Sequence, residues 1–259
     1  VNLDALRSAA IDLPPGRMIT SDEGEGDVQP LWLSDEPPAM NLWGRIRAAH
    51  ADTGLWPLLL LPLDRDDDFR PWATGELFPE NVSSPGDHDA AALLTEWWGN
   101  HISTEEDSAP ATAPFGRDWP GLAQTSPGTE APDVLAAEYA LAFASFQPEA
   151  RLGLVAAPRG ADALAAVGWD GPVNYAGDTG KYAAVLRSWE ERFGVRVVAV
   201  GFATLYLSVA APPTTRDEAL AVAAEHFAFC PDNIWQGPGD LATYAERLVD
   251  GDSWQFWWD

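Results

Sequence analysis

The sequence predicts an α+β fold in which helices pack on one face of a small antiparallel sheet. Three observations carry this. Tyr182, Val185, Leu186, Trp189 and Phe193 recur at i, i+3, i+4, i+7 and i+11, which places one apolar stripe on a helix. Thr215 and Glu218 have the spacing of a capping box, with Pro212 and Pro213 ahead of them. The apolar run between them, Val195 to Ala210, is far longer than a typical strand of about five or six residues. It therefore reads as a β-hairpin turning at Gly201 to Thr204.

In the first half, Leu42, Ile46 and Ala49 recur at helical spacing, with Asn41 as N-cap and Gly54 as stop. Trp56 to Leu63, WPLLLLPL, reads as a buried strand. Pro57 and Pro62 confine its ladder pairing to the middle or mark a sheet edge. An acidic turn, Asp64 to Asp68, follows. A helix from Asp89 to Asn100 carries Leu93, Leu94, Trp97 and Trp98, and an alanine-rich helix spans Pro132 to Phe146.

Beyond residue 150 the signals sharpen. Leu152 to Ala156 is a short strand, and Ala161 to Val167 a short helix closed by Gly168. The striped helix spans Thr179 to Phe193, capped by Asp178 or Thr179 and stopped by Gly194. After the hairpin, the capping-box helix runs to Phe229, where Pro231 helps to end it. A last helix, Leu241 to Val249, leads into GDSWQFWWD. The order in this half is β-α-α-β-β-α-α.

Between the halves, Ser103 to Pro132 replaces periodic apolar positions with Pro, Gly, Ala, Ser, Thr and acids. The expected organisation is an acidic N-terminal α/β region (1–102), a Pro/Ala/acid-rich linker or insertion (103–132) and a C-terminal α+β domain (133–259). Phe115, Trp119 and Leu122 are placed to pin the middle of the linker onto a folded surface.

Charge narrows the function classes. Forty acids against 15 bases give a formal net charge of -25, which disfavours binding to nucleic acid or an anionic membrane. The field is uneven, because residues 1–150 carry 26 acids and 7 bases while residues 151–259 carry 14 and 8. The N-terminal stretch lacks the pattern of a secretory signal, and Leu55 to Leu63 is less than half the roughly 20 apolar residues a bilayer requires. Cys230 is the single cysteine, so no intramolecular disulfide forms and a cytoplasmic location is expected.

Motifs for a reaction are missing: GxSxG, HExxH, DxDxDG and GxGxxG do not occur. His226 and Cys230 lie at i and i+4 on the capping-box helix, within reach of one ligand. Cys230 sits at the helix C-terminus, where the dipole raises a thiol pKa, and Phe227 and Phe229 surround the pair with apolar packing. A buried histidine beside a core cysteine accounts for that pattern. In the turn after it, Asp232 and Asn233 suit an Asx-turn, with Trp235 as a floor for any polar pocket. Asn174, Tyr175 and Asp178 lie in a loop entering the striped helix, where Asp178 serves as cap. These eight residues, Asn174, Tyr175, Asp178, His226, Cys230, Asp232, Asn233 and Trp235, form the candidate pocket. No catalytic residue, cofactor or metal is assigned. Trp254, Trp257 and Trp258 crowd the last six residues and are expected to fold back as a clasp, because burying indoles is worth several kcal/mol at roughly 25 cal/mol per Å².

The strings GPVNYAGDTG, LRSWEERFGVRVV, GFATLYLSVAAPPTT, AAEHFAFCPDNIWQG, YAERL and FWWD resemble the actinobacterial family known as domain of unknown function 4253 (DUF4253). The resemblance covers residues 151–259, and GLWPLLLLPLD resembles the region that precedes that domain in similar chains. It implies a domain boundary and brings no activity, catalytic residue or cofactor. Acidity and many tryptophans together favour a non-enzymatic protein that docks on a basic partner, as an immunity or antitoxin protein docks on a toxin. The rival expectation is a small-molecule-binding or hydrolase-like domain with a polar pocket around His226, Asp232 and Asn233.

Overall fold

A computed structural model describes residues 1–22, 27–63, 68–104, 110–125, 128 and 130–259, with the backbone alone at 103 and 104. The chain begins with α1 (Asp4–Ser8), β1 (Gly16–Ile19), β2 (Leu31–Ser34), α2 (Leu42–Ala48), α3 (His50–Thr53) and β3 (Leu55–Leu60). It continues with α4 (Ala90–Thr104), α5 (Pro132–Phe146), β4 (Arg151–Ala156), α6 (Gly160–Val167) and α7 (Thr179–Phe193). It closes with β5 (Arg196–Val200), β6 (Thr204–Ser208), α8 (Arg216–Phe229), α9 (Asp232–Trp235), α10 (Leu241–Glu246) and β7 (Ser253–Trp257).

The strands form one open seven-stranded sheet in the order β1-β2-β4-β3-β5-β6-β7. Every pairing is antiparallel except β3 with β5. The fold is α+β, as the sequence indicates, but the expected small antiparallel sheet with helices on one face is corrected: the sheet has seven strands, one parallel pairing and helices on both faces, because its strands are apolar on both sides. Strands on either side of residues 103–132 share this sheet.

Local chemistry explains the elements that carry the later argument. The Asp178 side chain accepts from Gly180 N–H at 3.1 Å to start α7, and Gly194 ends it in the left-handed region at φ 60°. In α8 the box is reciprocal. Thr215 Oγ1 accepts from Glu218 N–H at 3.3 Å, and Glu218 Oε2 accepts from Thr215 N–H at 3.1 Å. Gly168 closes α6 at φ 72°, and a side chain there would strike the backbone of Phe78 and Pro79.

Both faces of the sheet are buried. On β3, Trp56, Leu58 and Leu60 enter a core with α4, α6, α7, α8 and α10, while Leu55 and Leu59 enter a second core with α2 and α5. A strand buried on both sides reads as a continuous apolar run, as WPLLLL does. The edge position allowed for this strand is corrected. β3 lies between β4 and β5, and Pro57 is tolerated because β3 pairs with β5 only at Leu59 and Leu60. The Asn41–Gly54 stretch is also two helices, and Asn41 makes no side-chain cap bond.

Part of the segment between the halves is fastened down. Phe115, Trp119 and Leu122 pack against the larger core, and Trp98 Nε1 donates to Arg117 O at 3.2 Å. Ala123 N–H donates at 2.7 Å to Glu225, a fully buried carboxylate. Glu225 also takes two bonds from Arg192, at 2.7 and 2.6 Å, and one from Trp189 Nε1 at 2.8 Å. That buried ion pair is fully hydrogen-bonded, the condition under which a buried charge is tolerated.

Candidate functional site

Six of the eight residues singled out from the sequence gather around β7 and the residues just after it. Asp232 Oδ1 accepts from Tyr175 Oη–H at 2.7 Å and from Gln236 Nε2 at 3.0 Å. Its Oδ2 accepts from Asp259 N–H at 3.1 Å. Asn174 Nδ2 donates to Asp259 O at 2.7 Å. Asn233 Nδ2 donates to Gln255 O at 2.6 Å, and its Oδ1 accepts from Trp257 N–H at 3.1 Å. Cys230 Sγ donates to Trp257 O at 2.9 Å. Burial pushes this thiol far above its ordinary pKa, the opposite of nucleophilic activation.

His226 is wholly buried behind the same strand. Its ring centroid lies 4.5 Å from Trp254 and 4.8 Å from Phe256, and Nδ1 meets Tyr244 Oη at 3.1 Å. Desolvation lowers its pKa to about 3, so the ring is neutral. Trp235 packs edge-on against Phe227 at 5.3 Å. The polar atoms of Cys230, Asp232 and Asn233 are thus engaged with the chain itself. Trp254 and Trp258 are 2% exposed, as the clasp requires, whereas Trp257, the third indole expected in it, is 38% exposed because its position on β7 faces away from the core.

Asp178 stands apart in a second cluster. Its Oδ1 accepts from Ser83 N–H at 3.0 Å, its Oδ2 from Ser83 Oγ–H at 2.7 Å, and His88 Nε2 lies 2.5 Å from Ser83 Oγ. Burial opposes ionisation of Asp178, and the bonds from Ser83 and Gly180 outweigh it, so its pKa falls below the ordinary carboxylate value. The carboxylate takes the only hydroxyl proton of Ser83, so His88 meets that oxygen as a donor. A general base would need the reverse polarity. The cluster ties the loop at 83–88 to the start of α7. Among the described residues, no three His, Cys, Asp or Glu side chains are placed to hold a metal ion, and no helix is long and apolar enough to cross a membrane.

A wide concavity lies beside the clasp, at the end of the sheet where β3 and β5 finish and β4 begins. It is an open cleft of about 1430 Å³. Its floor includes Leu61 and Leu63 after β3, Arg151 at the head of β4, and Trp257 to Asp259 after β6 has paired with β7. Trp169 is fixed in its wall by bonds from Nε1 to Gly201 O at 2.9 Å and Phe202 O at 3.0 Å.

Two properties distinguish this cleft. Phe146 (83% exposed), Phe202 (38%) and Trp257 (38%) present exposed rings at its edge, with the Arg70 guanidinium 6.0 Å from the Phe202 ring. Among the described residues, the charged side chains of its lining are Asp35, Glu36, Glu76, Glu149, Asp170 and Asp259 against Arg151, with Asp35 paired to Arg17 and Glu76 to Arg70. Burial raises the pKa of Asp170 above the ordinary value, while the bond from Arg70 holds Glu76 below it. Of the eight sequence candidates only Asn174 lines the cleft. The others of consequence come from strand ends far apart in sequence, and an aromatic following a glycine at Gly201-Phe202 was the one local signal for them. Asp64, Asp66 and Asp67 of the acidic turn lie outside the described residues.

The arrangement defines an open α+β sheet protein with a clasped final strand and a cleft that is both aromatic and acidic. Residues 151–259 match the family model described as Domain of unknown function (DUF4253), and the C-terminal part of the chain carries that domain. The match starts at β4, so β3, which lies outside it, is seated between two strands that lie within it. No curated protein and no solved structure matches the chain.

Proposed function

We propose that the protein is a non-enzymatic, cytoplasmic binding module, of the immunity or antitoxin kind, that docks a segment of a basic protein in the cleft at the end of its sheet. The observation that carries this is the described lining itself, six carboxylates, of which Glu36, Glu149, Asp170 and Asp259 have no arginine partner, against one arginine, with exposed aromatic rings beside them. Such a wall suits lysine and arginine side chains, whose charged heads seek carboxylates while their stems lie on aromatic faces. The net charge of -25 supports rapid encounter with a cationic surface, and aromatic anchors then supply residence time. The bonding of Cys230, Asp232 and Asn233 within the clasp favours this reading over a polar pocket there.

The test is titration with a lysine-rich peptide followed by calorimetry. Neutralising Glu36, Glu149, Asp170 and Asp259 together is expected to weaken binding about tenfold or more, since charge-assisted contacts contribute roughly 1.5 to 3 kcal/mol each. Neutralising the exposed Asp12, Asp52, Glu96 and Glu138, which do not line the cleft, is expected to weaken it far less. Equal losses in both sets would reduce the attraction to net charge and overturn the assignment of the cleft.

A further inference from the structure

We propose that Arg151 is the specificity-determining contact of the cleft, receiving a side-chain carboxylate that the docked basic segment carries among its cationic residues. This rests on the docking reading above and adds to it the chemistry of one ligand group.

Arg151 opens β4 opposite Leu60, and its guanidinium carbon lies 4.1 Å above the ring of Phe69. No described carboxylate comes within ion-pair distance of it, although six line the same cleft. Nearby Arg70 is different, because it is closed on Glu76 through two bonds of 2.6 and 2.7 Å. Phe69 is nearly fully buried with φ 55°, in the left-handed region that a bulky residue rarely adopts. Backbone strain of that kind persists only when the surroundings enforce it, and its product here is a ring held flat beneath Arg151.

A guanidinium stacked on an aromatic face keeps its planar fork in one orientation, ready to bond a carboxylate through two parallel N–H groups. The acids around it decide how that carboxylate arrives. A free anion must enter the field of a chain of net charge -25, whereas a glutamate or aspartate flanked by lysines brings compensating charge to Glu149 and Asp170. A monoanion also meets less repulsion there than a phosphate dianion.

Three lysine-rich peptides identical but for a central Glu, Gln or phosphoserine test this by calorimetry on the full chain. The Glu peptide is expected to bind about tenfold tighter than the Gln peptide, despite its lower positive charge. The preference should vanish or reverse in Arg151→Gln, and shrink in Arg151→Lys, which keeps the charge and loses the fork. Equal affinity for the Glu and Gln peptides, or a preference that survives Arg151→Gln, would overturn the role of Arg151 while leaving the docking reading standing. Tightest binding by the phosphoserine peptide would overturn the choice of a carboxylate. Binding by none of the three would overturn the docking reading itself.

Discussion

Asn233 treats Trp257 as a neighbouring strand would. Its side-chain amide accepts from Trp257 N–H at 3.1 Å and donates to Gln255 O at 2.6 Å. Those two groups lie on one side of β7, facing away from β6, because backbone groups two residues apart in a strand point the same way. The last strand of the sheet is therefore capped along its outer edge by one amide, a protection that an open edge otherwise lacks. Asp232 does the same for the second residue after the strand, through Asp259 N–H.

Asn233→Asp should destabilise the chain by about 2 kcal/mol, since a carboxylate cannot donate to Gln255 O, and that acceptor is then left facing a negative charge. Chemical denaturation measures this. A change under about 0.5 kcal/mol would mean that the edge is satisfied without Asn233.

The two adjacent tryptophans separate stability from recognition. Trp258 is 2% exposed and packs against Trp169, Tyr182 and Phe229, so Trp258→Ala should cost about 3 to 5 kcal/mol. Trp257 faces the cleft at 38% exposure, so Trp257→Ala should cost less than about 1 kcal/mol and yet weaken a lysine-rich peptide. Deleting Trp257 to Asp259 should lower stability by about 3 kcal/mol or more. Similar melting curves for the two alanine variants would contradict the packing described.

Helices that advertise themselves through caps and stripes were legible in the sequence, as α7 and α8 show with Asp178, Thr215 and Glu218. Strands were less so. In β2, Leu31 and Leu33 enter one core and Trp32 the other, so no alternation of apolar and polar residues marks it. In β7 the alternation exists, but Trp257 on the open side hides it as aromatic clustering. The candidate residues Asn174, Tyr175, Cys230, Asp232 and Asn233 meet in the structure, where their polar atoms bond one another and the chain's own end. The cleft stayed hidden because Phe69, Arg151, Phe202 and Trp257 are brought together only by the sheet order, with β3 inserted between β4 and β5.

Buried His226 makes stability depend on pH. In the folded chain it takes a proton only near pH 3, whereas an unfolded histidine does so near its ordinary value of 6.5. Between those values the unfolded chain binds the proton and the folded chain does not. The contribution is full above pH 6.5 and is lost as pH falls toward 3, at roughly 1.4 kcal/mol per unit. Denaturation of the native chain and of His226→Phe from pH 7 to 4 should show the native chain losing more. Parallel profiles would mean that His226 is hydrated in the folded state.

The most direct test of cleft docking is the salt dependence of association for a lysine-rich peptide, by stopped flow on the fluorescence anisotropy of a dye carried by the peptide. Between ionic strengths of about 0.01 and 0.15 M the Debye length shrinks from about 30 to 8 Å, so the association rate constant should fall steeply. Neutralising Glu36, Glu149, Asp170 and Asp259 should flatten that dependence, and Trp257→Ala should speed dissociation while leaving it intact. Peptide binding that is insensitive to salt, or unchanged in both variants, would contradict the assignment of the cleft as the docking surface for a basic partner.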